Sequence, residues 1–478
     1  MTLFTKFSVL LGFILISLHS FSQKERKKDQ RPNIILIMAD DLGWGDVGFN
    51  GNKLIQTPHL DQMASKGIIF NRFYAASPVC SPTRASCLTG RNPYRQGIYT
   101  ANTGHLKKEE ITLAEMLKFE GYATGMFGKW HLGTLTTQEK DANRGKPGDK
   151  NHYSTPDMHG FDQYFVTESK IPTFDPMIYP VQFDSDMGES LRYGWSAIEN
   201  GQETKFYGTS YWIDVEEKPK TEILKGENTK LIMDQAIKFM QKSIFRDQSF
   251  FTVIWIHTPH LPVVADKDHR ELYKDYTHQE QLYYGSITAM DEQIGRLKYF
   301  LMQQNANENT MIWFASDNGP ELRTPGSAGL FRGKKRDLYE GGLRVPAFCV
   351  WPAKISQGSN TNVPIVTSDY LPTIAKMLKL KLNKKRVLDG MDITGIIDGT
   401  QRKRNKPIGF QYPNRKSWVT DEYKLIKNGK AVPYELYHLK NDPQEQRNLI
   451  LQEPKIARKL ELEMEDWIRS CKRSELVW

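Results

Sequence analysis

Oxygen-bearing side chains follow two apolar segments of the sequence at the point where each segment ends. Asp40 and Asp41 come directly after NIILIMA, and Asp317 and Asn318 come one residue after MIWFA. Three carboxylates and an amide would form a hard, all-oxygen site of the kind that Ca²⁺ or Mg²⁺ prefers. A single pair of this type often only caps a helix or shapes a turn, so the recurrence at two segment ends favours a metal site.

Two histidines, His257 and His260, follow a third apolar segment, FFTVIWI. An imidazole can give or take a proton near neutral pH, so either histidine could act as an acid or base. Because open α/β sheets bind ligands beyond the carboxyl ends of their strands, these histidines and the carboxylates could converge on one cleft.

The most specific pattern in the chain is CSPTRASCLTGR, residues 80–91. It resembles the signature of the type I, formylglycine-dependent sulfatases, CxPxR followed by LTGR. In that family the cysteine is oxidised to formylglycine (3-oxoalanine) by a formylglycine-generating enzyme, which acts on the exposed chain before folding. The resemblance implies that Cys80 is the modified residue, and an ordinary buried cysteine is the alternative interpretation.

Other segments match the same family in the same order. The resemblance implies that calcium, in preference to magnesium, is bound by the modified residue 80 together with Asp40, Asp41, Asp317 and Asn318. The block GKWHLG contains Lys129 and His131. In the family, the lysine of this block binds a sulfate oxygen and the histidine acts on the geminal diol of hydrated formylglycine.

Two further blocks imply a second histidine and a second lysine in the site. PHLP resembles the family's PHxP block, which implies that His260, rather than His257, neutralises the leaving alkoxide. His257 is then expected beside the site or facing the substrate. RGKK and EGGLRVP resemble RGxK and EGGxRVP. Their spacing to Glu340 implies that Lys335, rather than Lys334, is the second sulfate-binding lysine.

The resemblance also implies a reaction in two steps. One hydroxyl of the hydrated aldehyde attacks the sulfur and the other later expels sulfate, which splits the hydrolysis into two easier steps. Arg84 would anchor residue 80 and offset its negative charge. Near the end of the chain, ELYHLKNDPQEQRNL resembles the family's ELYDL and DPxExxNL segment, with His438 where aspartate is usual. That departure lies outside the expected site.

The elements that must position these residues are strands that alternate with helices. Five apolar segments read as buried strands: residues 33–39, 122–127, 250–256, 311–315 and 347–351. Helical periodicity is found in residues 112–119, 229–244 and 285–302. This alternation predicts an α/β fold with a mainly parallel sheet covered on both faces by helices. The resemblance implies the alkaline-phosphatase-like form of that fold, with a large mixed sheet.

The pattern changes after about residue 402, where short strand-like segments precede a charged final helix. These segments are residues 418–427 and 435–439, and the helix is expected over residues 453–470. We therefore predict a small C-terminal α+β subdomain with a short antiparallel sheet. The predicted organisation is a signal peptide (1–22), a charged linker (23–31), a sulfatase catalytic domain (32–400) and the C-terminal subdomain (401–478).

The N-terminal segment predicts export. Lys6 is the only charge before an apolar run over residues 7–18, which is typical of a signal peptide and too short to span a bilayer comfortably. We expect a periplasmic or secreted protein without membrane insertion. Loss of Lys6 with the signal peptide would change the formal net charge from +9 to +8.

The composition excludes collagen-like and low-complexity chains, since 39% of the 478 residues are hydrophobic and 25% are charged. A basic net charge favours an anionic partner, although it also serves solubility alone. Together, the basic charge and the family resemblance favour a sulfated polysaccharide or its oligosaccharides as substrate, such as an algal polymer or a glycosaminoglycan. We expect no nucleic-acid partner. Four cysteines leave one disulfide open as an alternative.

Specificity is expected from two polar segments, residues 137–153, predicted to be a surface loop, and 170–210. The second contains side chains that either line sugar subsites or pack within the loop: Tyr179, Phe183, Arg192, Tyr193 and Trp195. Two functional alternatives stay open. One is a phosphate mono- or diester hydrolase of the same superfamily, and the other is a non-catalytic protein that binds sulfated glycans.

Overall fold

The computed structural model describes residues 31–214, 223–383 and 385–475. The predicted signal peptide, residues 1–22, and all but the last residue of the predicted linker lie outside these ranges. Within the described ranges, no helix combines the length and the apolar character that crossing a bilayer requires.

The largest sheet contains nine of the described strands. In spatial order they are Ser359–Thr361, Ile68–Phe70, Ala347–Val350, Thr310–Ser316, Asn33–Ala39, Phe250–Trp255, Ala123–Lys129, Gln163–Thr167 and Tyr211–Ile213. The five strands from Thr310–Ser316 to Gln163–Thr167 are mutually parallel, whereas Ala347–Val350 and Tyr211–Ile213 pair antiparallel with their neighbours. The sheet is therefore mixed and mainly parallel, and the predicted fold class is confirmed.

Helices cover both faces of this sheet. The α-helices of the described residues are Pro58–Ala64, Cys80–Thr89, Leu113–Phe119, Asn228–Phe245, Lys267–Glu271, His278–Gln303, Glu340–Leu343, Tyr370–Met377, Thr394–Ile397 and Pro454–Glu475, the last of which packs on the C-terminal sheet instead. Side chains of the central strand alternate between the two faces, as the period of two requires. Ile34 and Leu36 pack in the core that includes helix Cys80–Thr89, and Ile35 and Ile37 pack in the core on the other face. Both faces of the central strand are thus buried.

The C-terminal part of the chain forms a four-stranded antiparallel sheet. Its strands, in order, are Ile408–Tyr412, Arg415–Val419, Tyr423–Lys427 and Glu435–His438. One face shares a core with Tyr74 and Leu343, and the other packs against helix Pro454–Glu475. The predicted antiparallel sheet and final helix are present, and the domain boundary at residue 400 stays a prediction.

Short strands join segments that have no long apolar run. A three-stranded sheet contains Arg344–Val345, Phe73–Tyr74 and Ile365–Val366, and two strand pairs are Val263–Ala265 with Gly194–Ser196 and Ile178–Pro180 with Thr204–Phe206. The predicted strand-like segment 418–427 is two strands joined by a turn. Strands of two or three residues cannot be recognised from periodicity, because the pattern needs several alternations.

The predicted surface loop 137–153 is anchored by buried side chains, so its description as a surface loop is only partly correct. Asp141 is 2% exposed and accepts hydrogen bonds from the backbone N–H of Ser210 at 2.8 Å and from the indole of Trp212 at 3.0 Å. Within segment 170–210, Trp195 is fully buried and its ring centroid lies 5.6 Å from that of Phe183. For Trp195, packing within the loop is therefore the correct alternative.

Candidate active site

The predicted site residues come together at the carboxyl ends of the central parallel strands. Asp40 and Asp317 directly follow two adjacent strands, and Lys129 is the last residue of a third strand. His257 lies two residues beyond the end of the strand between them, Phe250–Trp255. Parallel strands end at the same edge of a sheet, so their short sequence extensions share one cleft.

Helix Cys80–Thr89 supplies two further groups. Cys80 is its first residue and Arg84 follows one turn later, on the same side of the helix. All ten helix residues are buried. The helix ends at Gly90, whose φ of 69° is a left-handed conformation that favours glycine. The buried helix therefore fixes Cys80 and Arg84 beside the strand ends.

Three cations and three carboxylates pair in the site. Each pair has a nitrogen–oxygen distance of 2.6 Å, and the pairs are Lys129–Asp40, Lys335–Asp41 and Arg84–Asp317. The Arg84 guanidinium also donates to the backbone carbonyl of Lys129 at 3.0 Å. These six side chains, called here the site cluster, are almost completely buried. Such pairs are stable in the interior only when each charge has a partner.

The site cluster shifts the titration of its own members and of Cys80. Burial acts to raise the pKa of Asp40, but the Lys129 ammonium holds that pKa well below its usual range. Burial, together with the charge of Asp40, raises the pKa of Asp317 to about 7. Burial also raises the pKa of the Cys80 thiol. A thiol that stays protonated is a weak nucleophile, so the unmodified side chain is poorly suited to covalent catalysis.

The site fits a divalent cation. Asp40, Cys80 and Asp317 each present one ligand atom, and these atoms lie within 4.8 Å of one another. Oδ1 of Asp40 and Oδ1 of Asn318 are buried and have no hydrogen-bond partner among the described residues. Buried acceptors normally have a partner, and oxygen donors suit Ca²⁺ or Mg²⁺. The Cys80 sulfur is the one soft donor of this set, and its replacement by an oxygen would make the site all-oxygen.

His260 faces the site cluster from the segment after strand Phe250–Trp255. Its Nδ1 lies 2.6 Å from the carbonyl oxygen of Leu261, so the ring donates from Nδ1. Nε2 then lies 3.6 Å from Oδ2 of Asp41. Burial lowers the pKa of His260 to about 3. The geometry leaves Nε2 as the ring atom that can exchange a proton in the cleft.

His131 and His257 both lie near the Lys129 charge. The backbone carbonyl of His131 accepts a hydrogen bond from Ser81 at 2.6 Å, and Nε2 lies 3.4 Å from Oδ1 of Asn102. His257 contacts the Thr167 hydroxyl through Nε2 at 2.8 Å and is completely buried. His131 is therefore close to the helix that carries Cys80, whereas His257 contacts the last residue of strand Gln163–Thr167.

Two residues of the site that are not glycine adopt left-handed backbone conformations. The φ angles are 67° at Asp41 and 55° at His131. Such angles cost energy in residues other than glycine and cluster at functional sites. All ten predicted side chains thus lie in one region, and the roles assigned to them stay predictions. They are Asp40, Asp41, Cys80, Arg84, Lys129, His131, His260, Asp317, Asn318 and Lys335.

Sequence reasoning missed three residues beside the site: Asn102, Arg144 and Glu168. Glu168 directly follows strand Gln163–Thr167, as Asp40 follows its own strand. A strand prediction over QYFVT would have identified it by the same rule. Arg144 and Asn102 reach the site from irregular loops, for which the sequence offers no comparable signal.

Comparison with known families supports the sequence resemblance. A family profile described as Sulfatase matches residues 32–380. A second profile, described as N-sulphoglucosamine sulphohydrolase, C-terminal, matches residues 326–472. The two matches together extend over nearly all the described residues.

Two curated relatives and one solved structure show how far the likeness extends. Steryl-sulfatase of Mus musculus is 30% identical over 445 residues, covering 80% of this chain and 68% of the relative. N-acetylgalactosamine-6-sulfatase of Mus musculus is 31% identical over 383 residues, covering 76% and 66%. The chain thus spans about two thirds of the length of these relatives.

The crystal structure of Ps i-CgsB superposes with a TM-score of 0.77 and 27% identity, covering 92% of this chain and 93% of that chain. A second structure of Ps i-CgsB, in complex with k-i-k-neocarrahexaose, superposes with a TM-score of 0.76 over the same shares.

Proposed function

Because the chain belongs to the sulfatase family of sulfuric ester hydrolases, we propose that it removes sulfate groups from a sulfated carbohydrate. The relatives support the substrate class, since one is named for a sulfated amino sugar and Ps i-CgsB was crystallised with k-i-k-neocarrahexaose. The observation that carries the proposal is the position of Cys80, at the start of a buried helix among carboxylates and lysines.

We propose that Cys80 is converted to formylglycine by a formylglycine-generating enzyme before the chain folds. Cys80 is 2% exposed, and the whole helix that contains it is buried. A modifying enzyme could reach this residue only on an unfolded chain. The modified side chain would present oxygen where the thiol presents sulfur, and its hydrate would supply the nucleophilic hydroxyl.

The lysines and Arg84 would bind and orient the sulfate ester. Lys129 and Lys335 place positive charge beside residue 80, where preorganised cations stabilise the charge that develops on the sulfuryl oxygens. Arg84 is held by Asp317 and by the Lys129 carbonyl, so it can anchor residue 80 without moving. Nε2 of His260, which is unprotonated while Nδ1 donates, would take the proton of the attacking hydroxyl and give it to the leaving alkoxide, and His131 would take the proton from the second hydroxyl.

The proposed metal is Ca²⁺, held by Asp40, Asp41, Asp317, Asn318 and the modified residue 80. A divalent cation bound there would polarise the sulfuryl group and neutralise part of its charge. The two unpartnered buried oxygens, Oδ1 of Asp40 and Oδ1 of Asn318, support this donor set.

Mass spectrometry of the tryptic peptide over residues 73–84 tests the proposed chemistry, using protein made in a host that matures such enzymes. We expect the mass that corresponds to an aldehyde in place of the Cys80 thiol. Cys87 lies in the next tryptic peptide and is the internal control, which should keep its thiol. Intact Cys80 together with salt-dependent glycan binding and no sulfate release would overturn the proposal and favour a glycan-binding protein.

The same preparation separates sulfate from phosphate chemistry. We expect a higher kcat/KM on 4-nitrophenyl sulfate than on 4-nitrophenyl phosphate. The reverse preference would favour the phosphate ester hydrolase.

We also propose that the protein is exported and that the predicted domain boundaries hold. We propose cleavage of the signal peptide before Gln23, followed by a periplasmic or secreted location. N-terminal sequencing of the protein recovered outside the cytoplasm checks the cleavage site.

Each of the four cysteines, all within the described ranges, is free, so the exported protein should contain no intramolecular disulfide.

A further inference from the structure

Arg144 is a buried cation beside the candidate active site that has no closely paired acid. It lies in the loop between strands Ala123–Lys129 and Gln163–Thr167 and is 6% exposed. Its nearest carboxylate is Glu168, with 3.6 Å between Nε of Arg144 and Oε1 of Glu168. In the site cluster, by contrast, every cation lies 2.6 Å from its carboxylate.

Two nitrogen atoms of the Arg144 guanidinium are unpartnered. Nη2 donates to the carbonyl of Ala101 at 2.8 Å and lies 3.5 Å from the Ser81 hydroxyl. Nε and Nη1 are buried and have no hydrogen-bond partner within the described part of the chain. A buried guanidinium usually uses its planar fork of donors, so this arrangement leaves capacity for a ligand.

Glu168 compensates Arg144 incompletely. One oxygen of Glu168 accepts the backbone N–H of Asn143 at 3.0 Å, and the other has no hydrogen-bond partner in the described residues. Burial raises the pKa of Glu168 to about 7, so a large fraction of this carboxyl group is neutral near neutral pH. A buried charge without full compensation is unfavourable, and an anion that docks against it gains correspondingly.

The Arg144 region borders an exposed residue, Asn102. Asn102 is exposed and contacts both Nε2 of His131 at 3.4 Å and the Asn143 amide at 3.1 Å. Ser81, the neighbour of Cys80 in sequence, lies at the inner end of the same region. Arg144 thus contacts both Ala101, the neighbour of the exposed Asn102, and Ser81, the neighbour of Cys80.

We propose that Arg144 is a specificity-determining residue that binds a second anionic group of the substrate, a carboxylate or a further sulfate, next to the scissile ester. The inference rests on the proposed sulfatase function. The charges of Lys129 and Lys335 already act on residue 80, whereas Arg144 approaches its neighbour Ser81 from a different loop and through different contacts. Asn102 and Asn143 would contact neighbouring sugar hydroxyls.

The test compares matched substrates that differ only in a second anion. One pair is 4-nitrophenyl sulfate and its 2-carboxylate derivative, and the other is N-acetylgalactosamine 6-sulfate and the 4,6-disulfate. For each pair, the specificity ratio is kcat/KM with the second anion divided by kcat/KM without it. We expect Arg144→Gln to lower at least one ratio by about tenfold to a hundredfold, mostly through KM, as for loss of a hydrogen bond to a charged group.

Two further variants make the outcome decisive. Arg144→Lys keeps the charge but loses the planar fork, so it should recover part of the lost ratio. Arg246→Gln removes an exposed arginine elsewhere and should leave both ratios unchanged. A fall confined to the carboxylate pair identifies a carboxylate, and a fall confined to the sugar pair identifies a sulfate.

Unchanged ratios with both pairs would overturn the inference. So would an equal fall on substrates with and without the second anion, which would make Arg144 a support of the catalytic centre. Absence of sulfate release by the wild-type protein from all four probes would instead overturn the proposed function, and this inference with it. Melting temperatures of the three variants exclude misfolding as the cause of any change.

Discussion

The site cluster and a second cluster of buried charges are built from similar residues but differ in how completely their atoms are paired. The second cluster, called here the Glu340 cluster, contains Tyr74, Glu340, Arg344, Lys424 and Glu445. Nζ of Lys424 lies 3.2 Å from Glu340 and 2.9 Å from Glu445, with both side chains inaccessible to solvent. The remaining oxygens of the two glutamates contact Tyr74, Arg344 and a backbone N–H. Oε1 of Glu445 makes no hydrogen bond within the described ranges but lies 2.9 Å from Nζ of Lys424, and every other carboxylate oxygen in the Glu340 cluster lies within 3.5 Å of a cationic nitrogen, a hydroxyl or a backbone N–H.

The site cluster and the adjoining Asn318 leave two acceptors without a hydrogen bond, and this difference is informative. Oδ1 of Asp40 and Oδ1 of Asn318 have no donor within the described ranges, and Cys80 lies between the carboxylates. The Glu340 cluster instead joins the C-terminal sheet, through Lys424, to the segment around Tyr74. Buried charge alone thus does not identify an active site. Unpaired acceptors around a reactive side chain distinguish a functional cluster from a structural one.

The largest expected effect comes from Cys80→Ala, which removes the group that the site cluster surrounds. Sulfate release should fall by about 10⁴-fold or more, as is typical when a covalent nucleophile is lost. The melting temperature should change little, because a small side chain is removed from an otherwise intact cluster. Steady-state kinetics and thermal melting of the variant check both statements. Retention of a tenth of the wild-type rate would contradict the functional assignment of the cluster.

Lys424→Met should have the opposite signature, since it disrupts the Glu340 cluster. Removing the shared cation leaves Glu445 without its cation and Glu340 with Arg344 alone, and breaking a buried pair in this way typically costs about 3–5 kcal/mol of folding stability. The turnover of the folded fraction should stay at the wild-type value. Lys427→Met, on the same strand but partly exposed, is the matched control and should cost far less. Chemical denaturation measures the difference, and equal stabilities of the two variants would show that the cluster is not a structural link.

Lys335→Ala tests the corresponding cation of the site cluster. We expect kcat/KM to fall about a hundredfold or more, because one preorganised charge at the sulfuryl group is lost. Lys334→Ala is the control, since Nζ of Lys334 donates to the Gly326 carbonyl at 2.8 Å and not to the cluster. A variant of Lys335 with unchanged turnover would remove this lysine from the proposed mechanism.

Much of the fold can be predicted from the sequence where the apolar segments are long. The apolar run NIILIMA predicts strand Asn33–Ala39 with its observed bounds, and helical periodicity predicts helix Asn228–Phe245 within one residue at each end. Strand Gln163–Thr167 escapes prediction because its sequence, QYFVT, contains an apolar run of only three residues. The edge strand Tyr211–Ile213 escapes it because only three residues pair.

The residues of the candidate site likewise fall into those that the sequence predicts and those that it does not. Motifs such as GKWHLG depend on local sequence, and the sequence alone is sufficient to locate Lys129. Arg144 and Glu168 approach Ser81 and His131 only through tertiary packing of two loops. Irregular loops have no periodic sequence pattern, so the sequence does not predict where their side chains lie in the fold.

Metal removal should separate the two clusters by their response. Dialysis against a chelator should lower the melting temperature, and added Ca²⁺ should restore it, because a ligand that binds only the folded state stabilises it. At a free concentration of 100 times Kd the gain is about 2.7 kcal/mol. Asp40→Asn should abolish the response to Ca²⁺, whereas Lys424→Met should melt lower but keep it. A full Ca²⁺ response in Asp40→Asn would place the ion elsewhere.

The smallest predicted effect is a pH dependence that belongs to the Glu340 cluster. Burial raises the pKa of Glu445 from the ordinary value of 4.5 to about 7 in the folded protein. Between these values the folded state binds a proton more readily than the unfolded chain does, so stability contributed by Glu445 falls as the pH rises through this window. Glu340 has the opposite sign: burial acts to raise its pKa, but the charges of Lys424, Arg344 and Arg72 together with the Tyr74 hydrogen bond lower it, and its contribution is lost only at lower pH.

Glu445→Gln should therefore flatten the stability profile between about pH 5 and 7 while keeping the acceptor for the Glu340 backbone N–H. We expect the wild-type melting temperature to fall by about 2 °C more than that of the variant across this range, a shift equivalent to roughly 1 kcal/mol in a large domain. Glu422→Gln, a partly exposed change in the same subdomain, controls for the altered net charge. Identical profiles for wild type and Glu445→Gln would mean that Glu445 is ionised throughout. Both glutamates would then be ionised beside the Lys424 ammonium, even though burial disfavours their charged forms.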